Sequence, residues 1–340
     1  MKLVRIILLG IIASTILAQD PITVSNVPGV SADYDDLQTA LDAVPENSTI
    51  YVYASTVSYG NIDISKKVNL YGAGMYSDTP STVRSTVGSV NFITFQSDSS
   101  HGSLMSGFAT GPMTVSEGLR NITLERNVGS TIALNQNLNV TIMNNYLSSN
   151  ASGSMISLNG STNTTILNCV VLKTISASDF VCIITGGNAL IANNYVYFRD
   201  TQDYGSEYLF SGSNYTIENN IFELLNYATW GSLSSSQITN NLSPDGAPIG
   251  QNFNSGSDNI IGSATFISTN FGNSDYYALD FGSPGIEAGT DGTDLGIHGG
   301  AIGFRNAYMP PLPYVHRLLV PAVVPQNGTI TVEIIGKSHN

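Results

Sequence analysis

Cysteine, tryptophan and basic residues are scarce in this chain of 340 residues. It contains two cysteines, one tryptophan, and 12 Lys and Arg against 25 Asp and Glu, which gives a net charge of −13. Two cysteines exclude a disulfide-rich scaffold. The shortage of Lys and Arg argues against binding to nucleic acid or to anionic membranes, because both need clustered positive charge. Since charged residues make up only 11% of the chain, its surface must consist mostly of Ser, Thr, Asn and Gly.

Long apolar runs are also absent, apart from one at the N-terminus. Lys2 and Arg5 precede the apolar stretch 6–17, and Ala18 stands where a signal peptidase would cleave. This stretch is short for a transmembrane span, and no charged stop follows it. Residues 1–18 are therefore predicted to be a signal peptide, with an uncleaved anchor as the alternative. The mature protein is expected to be secreted, extracellular or at the cell surface, with no membrane insertion.

The two cysteines, Cys169 and Cys182, lie thirteen residues apart. They either form a disulfide across one coil of the chain or remain two buried thiols, which is the alternative that we favour. No histidine lies near either cysteine in the sequence, which argues against a catalytic cysteine. The histidines are scattered and suggest no zinc site; they are His101, His298, His316 and His339.

What the chain does contain is an internal repeat. The segment NITLERN, which begins at Asn121, returns in altered form six times further along the chain. The later copies begin at Asn139, Asn163, Asn188, Asn214, Ser235 and Asp258. Their starts are separated by 18, 24, 25, 26, 21 and 23 residues. A period of this length, with one short strand and an asparagine-bearing turn, is typical of a parallel β-solenoid.

Each position of the repeat has its own residue preference. With the first residue counted as position 0, position 3 is aliphatic and is predicted to fill the interior: Leu124, Ile142, Ile166, Ile191, Ile217 and Ile238. Positions 5 and 6 are mostly Asn, which tolerates a left-handed backbone and can hydrogen-bond to the same amide one coil away. Position 2 holds an outward row of Thr that is too irregular for ice binding: Thr123, Thr141, Thr165 and Thr216, interrupted by Leu190 and Gln237.

The patterns divide the chain into four parts. They are a signal peptide (1–18), an N-terminal cap (19–48), a parallel β-helix (49–303) and a Pro-rich bridge with a short β tail (304–340). The cap is predicted to contain an amphipathic helix that covers the open end of the solenoid, because its apolar residues follow helical spacing. Ten to twelve coils are expected, and residues 283–300 are predicted to form turns that close the last coil.

Three segments near the N-terminus, YDDLQTALDAV (34–44), IYV (50–52) and VNLYGAG (68–74), resemble the opening of secreted right-handed parallel β-helix proteins of the pectate-lyase-like superfamily. The segment 283–300 is similar to the closing motif of β-helix proteins exported by Bacteroidetes-type bacteria. This resemblance implies an all-β fold, a single-stranded right-handed parallel β-helix, in a bacterial exported protein. It implies no single activity, because the superfamily includes lyases, hydrolases, esterases and adhesins.

The catalytic motifs of the lyases, galacturonan hydrolases and methylesterases of this superfamily are not found. One concentrated polar segment remains, between the repeats at Asn188 and Asn214. Its carboxylates beside an arginine are weak candidates for acid and base catalysis, with Glu218 or Glu223 as a further base. The candidate catalytic residues are Arg199, Asp200, Asp203 and Glu207, and the candidate ligand-binding residues are Tyr204 and Tyr208. The alternative, which we favour, is a solvated loop with a local ion pair.

Two further predictions concern ligands. Asp291 and Asp294, in a glycine-rich turn, are weak candidates for calcium binding, whereas a turn held by Asp-to-backbone hydrogen bonds is the favoured alternative. A glycan-binding protein would be expected to expose a row of aromatic side chains along one face. The candidates for such a row are Tyr195, Tyr197, Tyr204 and Tyr208.

The repeat and the missing catalytic motifs together predict a function without catalysis. We expect an extracellular or cell-surface β-helix protein that binds glycans or partner proteins, or that is purely structural. The alternative is a polysaccharide lyase or glycoside hydrolase acting on extracellular polysaccharide. No cofactor apart from calcium is expected. The predicted partner is an extracellular polysaccharide or a surface protein, and the chain is expected to be a monomer.

Overall fold

A computed structural model describes residues 21–74, 84–92, 100–175, 181–200, 207–225, 229–270, 275–304, 314–319 and 333–337. One helix, α1 (Leu37–Ala43), and 29 strands lie in these ranges. In chain order the strands are β1 (Ile22–Val24), β2 (Ser48–Val52), β3 (Ile62–Ile64), β4 (Val68–Tyr71), β5 (Ser85–Thr86), β6 (Val90–Phe92), β7 (Leu104–Ser106), β8 (Phe108–Ala109), β9 (Met113–Val115), β10 (Thr123–Glu125), β11 (Val128–Gly129), β12 (Ile132–Ala133), β13 (Thr141–Met143), β14 (Tyr146–Ser149), β15 (Ile156–Ser157), β16 (Thr164–Leu167), β17 (Val170–Ile175), β18 (Val181–Thr185), β19 (Ala189–Ala192), β20 (Tyr195–Asp200), β21 (Glu207–Ser213), β22 (Thr216–Glu218), β23 (Ile221–Leu225), β24 (Thr229–Ser234), β25 (Gln237–Thr239), β26 (Leu242–Ser243), β27 (Ile260–Ile261), β28 (Tyr314–Leu319) and β29 (Glu333–Lys337).

Three parallel sheets run the length of the molecule, and each coil of the chain contributes one strand to each sheet. The ten-stranded sheet has the order β1-β2-β4-β7-β10-β13-β16-β19-β22-β25. The nine-stranded sheet runs from β27 to β5 and the eight-stranded sheet from β24 to β3. This topology confirms the predicted parallel β-helix. About eight coils carry all three strands, fewer than the ten to twelve predicted, because the chain leaves the coiled path after β27.

One aliphatic residue per coil, at position 3 of the repeat, points from the ten-stranded sheet into the interior. Ile142 pairs with Leu124 on one side and with Ile166 on the other, and all three are at most 1% exposed. Because side chains alternate across a strand, the residues on either side of each point outward. The aliphatic row predicted at position 3 is therefore confirmed. Burying each such side chain contributes roughly 1.5–3 kcal/mol.

The asparagines of positions 5 and 6 have different structural roles. Those of position 5 have the left-handed backbone of the turn between two sheets, with φ from 49° to 58°; they are Asn144, Asn168, Asn193, Asn219 and Asn240. Those of position 6 point inward and form an amide ladder, which we call the internal ladder. It consists of Asn127 and Asn145 and, beyond a gap, of Asn194, Asn220 and Asn241, and it continues to Asn259, with Nδ2-to-Oδ1 distances of 2.9–3.2 Å. Asn259 is position 1 of the copy predicted to begin at Asp258, and it reaches the ladder because strand pairing aligns Ile260 with Leu242. The predicted structural role is confirmed.

Cys169 occupies the gap in the internal ladder. Its thiol is free and fully buried, so it does not form the disulfide considered as one alternative. The Sγ donates to the backbone oxygen of Leu167 at 3.2 Å, and the backbone N–H of Cys169 donates to Oδ1 of Asn194 at 2.8 Å. Burial raises the pKa of the thiol to about 12, which makes it a poor nucleophile. The side chain of Cys182 lies outside the described residues.

Helix α1 covers the first coil as predicted. Asp36 caps it, since Oδ1 accepts a hydrogen bond from the backbone N–H of Thr39 at 2.7 Å, and Pro45 follows its end. The apolar side of the helix, Leu37, Ala40 and Leu41, is buried in the main core. The segment before the helix also contributes a strand to the solenoid. Strand β1 pairs in parallel with β2 and extends the ten-stranded sheet by one strand.

The position of residues 275–304, which we call the fold-back segment, also differs from the sequence prediction. They lie along the outside of the nine-stranded sheet and do not close its last coil. Their apolar side chains pack on an outward row of that sheet, in which Val170, Tyr195, Ile221 and Leu242 are buried. Asparagines of position 5 hold the segment: Asn168 Nδ2 donates to the backbone oxygen of Ile297 at 2.9 Å. The apolar outer row explains this packing, since a sheet hydrophobic on both faces must be covered on both.

The C-terminal part contains the predicted pair of strands. Strands β28 and β29 pair in the antiparallel sense, with Leu319 opposite Glu333. The rest of the predicted bridge and tail lies outside the described residues, as do residues 1–20. Within the part of the chain that the structure describes, no helix is long and apolar enough to cross a membrane.

Candidate functional site

The outward side of the ten-stranded sheet carries the most regular polar surface of the described residues. Strand pairing brings the position-2 residues into one row: Thr123, Thr141, Thr165, Leu190, Thr216 and Gln237. The Thr row predicted from the sequence is therefore in register. Neighbouring strands of a sheet are about 4.8 Å apart, so the row offers one hydroxyl per such step over its first three members.

A second row, made by the asparagines of position 0, runs beside the threonines. Asn163 Nδ2 donates to Oδ1 of Asn139 at 3.2 Å, and Asn139 Nδ2 donates to Oδ1 of Asn121 at 3.1 Å. The backbone N–H of Asn163 donates to Oδ1 of Asn188 at 2.9 Å. Asn121, Asn139 and Asn163 have φ of 53–56°, the left-handed conformation that Asn tolerates well. Unlike the internal ladder, these amides remain partly in contact with solvent.

The two rows enclose an open depression of about 580 Å³, which we call the polar groove. It extends over four strands, from β13 to β22. Amide, hydroxyl and aliphatic groups line it, with no charged side chain among the described lining residues: Asn139, Thr141, Asn163, Thr164, Thr165, Asn188, Ala189, Leu190, Asn214 and Thr216. Such a surface is uncharged and can both donate and accept hydrogen bonds. The hydroxyls of a neutral sugar have the same two properties.

An aromatic pair lies on the same side of the same sheet, nearer its N-terminal end. Tyr51 on β2 is paired in register with Tyr71 on β4, and their ring centroids are 5.5 Å apart at an interplanar angle of 21°. Both rings are partly exposed. Sequence analysis missed this pair, although the two strands, STIYV and VNLY, each carry Tyr three residues after their first position. Aligning these strands would have found it.

Charged groups accompany the aromatic pair. Continuing the row of Tyr71 along the sheet, strand pairing places Ser106 and then Glu125. Arg126 follows in the left-handed conformation with φ of 53°, at the position where five other copies have Asn. Burial raises the pKa of Tyr71, and the negative charge of Glu125 raises it further. Glu125 lies in the same row as Tyr71, two strands away.

One tyrosine of the predicted aromatic row is buried against another part of the chain. Tyr195 is 2% exposed, and its ring packs against that of Tyr277 in the fold-back segment, with centroids 3.9 Å apart. Tyr197 is partly buried against the same cluster. The prediction of an exposed aromatic side chain was wrong for Tyr195, because the fold-back segment covers the apolar side of the nine-stranded sheet. Tyr204 lies outside the described residues.

Burial also changes the acidity of Glu223, which was predicted as a further base. Its Oε2 accepts a hydrogen bond from the hydroxyl of Tyr195 at 2.7 Å. Burial raises the pKa of Glu223, while this hydrogen bond acts in the opposite sense. Burial likewise raises the pKa of Tyr195. Glu218, the other predicted base, is on β22 in the ten-stranded sheet, whereas Arg199 is on β20 in the nine-stranded sheet.

The described ends of the candidate catalytic segment 199–208 belong to two different sheets. Arg199 is exposed near the end of β20, which ends at Asp200, and Glu207 begins β21, where Tyr208 is partly exposed. Asp203, Tyr204 and the rest of the connecting segment lie outside the described residues, as do the side chains of Asp200 and Glu207. The grouping of these residues into a site stays a prediction.

The candidate calcium ligands lie in the fold-back segment. Oδ1 of Asp291 accepts hydrogen bonds from the hydroxyl and the backbone N–H of Thr293, at 2.6 and 3.1 Å, and these bonds lower the pKa of Asp291. Oδ1 of Asp294 accepts from the backbone N–H of Glu287 at 2.9 Å. Both contacts belong to a turn stabilised by Asp. No group of three His, Cys, Asp or Glu suited to a metal occurs in the described ranges. Calcium binding stays a prediction.

No family model and no curated protein matches this chain. Among solved structures, the crystal structure of pectate lyase Pel9A is similar, at 13% sequence identity and a TM-score of 0.41. The match covers 82% of this chain and 96% of that chain. The β-helix assignment rests on the strand pairing itself, and likeness at this level transfers no activity.

Proposed function

We propose that this protein binds a neutral extracellular polysaccharide along the outward side of its ten-stranded sheet, without cleaving it. The observation that carries this proposal is the polar groove, in which Asn and Thr repeat strand by strand over β13 to β22. A linear polymer repeats the same hydroxyl pattern, so a surface with a matching repeat forms the same contacts many times. Binding energy then accumulates from individually weak hydrogen bonds of about 0.5–1.5 kcal/mol each.

Charge supports a neutral ligand. The chain has a net charge of −13, and the groove itself contributes no cation with which to bind a uronate or sulfate. An acidic polymer would be repelled by the protein as a whole and would find no ion pair in the groove. Strand spacing supports the orientation, since the groove repeats its Asn and Thr groups about every 4.8 Å along the axis of the solenoid. The polymer would then run parallel to the axis of the solenoid.

The proposed function also agrees with an extracellular location of the protein. Export by the N-terminal segment would bring the protein to the extracellular or cell-surface setting in which polysaccharides are found. A monomer suffices for this function, since the groove is formed by one chain. Surface proteins remain the alternative partner.

A panel of neutral and acidic polysaccharides, with and without calcium, tests the proposal on the purified mature protein. Binding and the formation of new reducing or unsaturated ends are recorded together. We expect binding to neutral polymers alone, independent of calcium and without products. Product formation that disappears in an Arg199→Ala, Asp203→Ala variant would contradict the proposal and identify a lyase or hydrolase. Failure to bind any neutral polymer would also overturn it.

A further inference from the structure

One coil interrupts the regular chemistry of the polar groove. In the coil of β19 the position-2 residue is Leu190, which strand pairing places between Thr165 and Thr216. Leu190 is partly exposed, and it lines the groove together with Ala189, the residue before it. The groove therefore contains one aliphatic step between strands that carry hydroxyls. A hydroxyl group of a sugar gains no hydrogen bond from the side chains of this step.

The turn before β19 also differs from the other turns of the groove. Gly186 and Gly187 have φ of 69° and 61°, whereas Asn188 is not in the left-handed conformation. Elsewhere in the groove the asparagine of position 0 takes this conformation itself. A side chain at Gly187 is excluded, because a Cβ there would overlap the backbone oxygen of Ser161. The left-handed residues thus come earlier in this turn than in its neighbours.

Asn188 leaves the row of amides for a different contact. Asn139 donates its backbone N–H to the backbone oxygen of Thr162 in the next coil, at 3.1 Å. The backbone N–H of Asn163 donates instead to Oδ1 of Asn188, at 2.9 Å. The side chain of Asn188 thus takes the place of a backbone acceptor that the Gly-Gly turn does not supply, and the amide row that includes Asn139 and Asn163 ends here.

This arrangement leaves two polar groups without a partner among the described residues. Nδ2 of Asn188 donates no hydrogen bond there, and Oδ1 of Asn163 accepts none. The two asparagines lie in adjacent coils, about 4.8 Å apart along the solenoid axis. Both line the groove, and Asn188 is two residues before Leu190. One place in the groove thus offers a hydrogen-bond donor, an acceptor and an apolar contact.

An acetamido group has the complementary three properties. Its N–H can donate to Oδ1 of Asn163, its carbonyl oxygen can accept from Nδ2 of Asn188, and its methyl group can contact Leu190. A hydroxyl group has no methyl group for the aliphatic side chain, and an acetate ester has no N–H for the free acceptor. The chemistry of this step therefore favours an acetamido group over both.

We propose that the coil of β19 forms a subsite for an acetamido group, so that the glycan of the polar groove is a neutral polymer containing N-acetylated amino sugars. This inference rests on the proposed glycan-binding function and specifies its ligand. Such a polymer is uncharged, in agreement with the uncharged side chains of the described groove lining. Asn163, Asn188 and Leu190 determine the preference.

Two tetrasaccharides that differ only in one substituent of each sugar provide the test. Dissociation constants for the purified mature protein are measured by calorimetry. One ligand is a β-linked tetrasaccharide of N-acetylglucosamine, and the other is the tetrasaccharide of glucose with the same linkage, which carries a hydroxyl in place of each acetamido group. The acetamido ligand should bind about tenfold tighter, as expected for one methyl contact and one or two hydrogen bonds.

Two substitutions remove the subsite and keep the rest of the groove. Asn188→Asp retains an acceptor for the backbone N–H of Asn163 and deletes the free donor. Leu190→Thr gives this coil the threonine of its two neighbours and deletes the apolar contact. Each change should lower the preference for the acetamido ligand about threefold or more. Leu190→Thr should not weaken the binding of the glucose tetrasaccharide.

Asn121→Asp is the matched control. Oδ1 of Asn121 accepts a hydrogen bond from Nδ2 of Asn139 at 3.1 Å, and Asn121 is not among the residues that line the groove. This variant has the same change of charge as Asn188→Asp and should leave both affinities unchanged. Far-ultraviolet circular dichroism and the melting temperature establish that each variant is folded.

The possible failures can be told apart. If the native protein binds both tetrasaccharides equally well, the acetamido subsite is refuted while the proposed function stands. A preference that persists in both Asn188→Asp and Leu190→Thr refutes the subsite in the same way. If neither tetrasaccharide binds but another neutral polymer does, the subsite alone is again refuted. If no neutral glycan binds to the native protein, both proposals are overturned.

Discussion

Removing one amide from the internal ladder should destabilise the whole solenoid. The side chain of Asn220 is fully buried, and its Nδ2 donates to the backbone oxygens of Ile191 at 2.8 Å and Glu218 at 2.9 Å and to Oδ1 of Asn241 at 2.9 Å. Its Oδ1 accepts from the backbone N–H and from Nδ2 of Asn194, both at 2.9 Å. Asn220→Ala deletes all five contacts.

The magnitude follows from what remains behind. The backbone N–H of Asn194 loses its partner inside the core, and a buried unsatisfied donor costs about 1–3 kcal/mol. The lost hydrogen bonds and the small cavity add to this cost. We expect Asn220→Ala to lower the free energy of unfolding by about 3 kcal/mol, measured by urea denaturation followed by circular dichroism.

The matched control is an asparagine in an exposed amide row. Asn139 makes side-chain hydrogen bonds to Asn121 and Asn163 at the surface, and Asn139→Gly keeps its left-handed backbone accessible. We expect this change to cost less than about 1 kcal/mol, because water replaces the lost partners. If Asn220→Ala costs no more than Asn139→Gly, the internal ladder does not stabilise the fold as we describe.

Three further predictions concern other parts of the fold. Cys169→Asn should fill the gap in the internal ladder and raise the free energy of unfolding, measured by urea titration, by about 1 kcal/mol. A lower free energy of unfolding in this variant would show that the site has no room for the amide. The native Cys169 thiol should resist an aromatic disulfide reagent at pH 8 until the protein unfolds, because its pKa is raised to about 12. Burial raises the pKa of Glu223, so the protonated carboxyl stabilises the folded protein fully below about pH 4.5, and this contribution is lost as the pH rises through the raised pKa. The free energy of unfolding of Glu223→Gln, relative to that of the native protein, should therefore increase with pH above about 4.5. A constant difference across that range would contradict the burial of this carboxyl.

The coiled part of the fold could be predicted because each coil repeats the same constraint. An aliphatic residue at position 3 and Asn at positions 5 and 6 recur at nearly constant spacing, and only a parallel solenoid brings equivalent residues such as Ile142 and Ile166 together. Strand β1 was missed because ITV is too short to show a period, and it gains its stability from pairing with β2.

The fold-back segment could not be predicted, for a physical reason. Its contacts join residues far apart in sequence, as in the hydrogen bonds from Asn168 to Ile297 and from Asn219 to Thr290. Its Gly- and Asp-rich sequence indicates turns but not the surface on which the turns pack. Of the apolar outward row beneath the segment, sequence analysis singled out only Tyr195, and it expected that side chain to be exposed.

The candidate site was predicted in part. The Thr row was identified and its register is confirmed, but nothing in the repeat pattern indicated that it forms a groove together with the asparagines of position 0. That grouping depends on the left-handed turn before each strand, which places Asn139 and Asn163 beside the threonines. The aromatic pair was missed because Tyr51 and Tyr71 precede the clear repeats.

The most direct test of the account is to map glycan binding onto the ten-stranded sheet. Thr165→Val and Thr216→Val each remove one groove hydroxyl while keeping the shape of the side chain, and Thr114→Val does the same for an exposed threonine on the eight-stranded sheet. We predict that the two groove changes together weaken binding of a neutral tetrasaccharide about tenfold, at roughly 0.5–1.5 kcal/mol for each hydroxyl, and that Thr114→Val leaves it unchanged. Equal affinity of the double groove variant and the native protein would contradict the claim that this face binds the glycan.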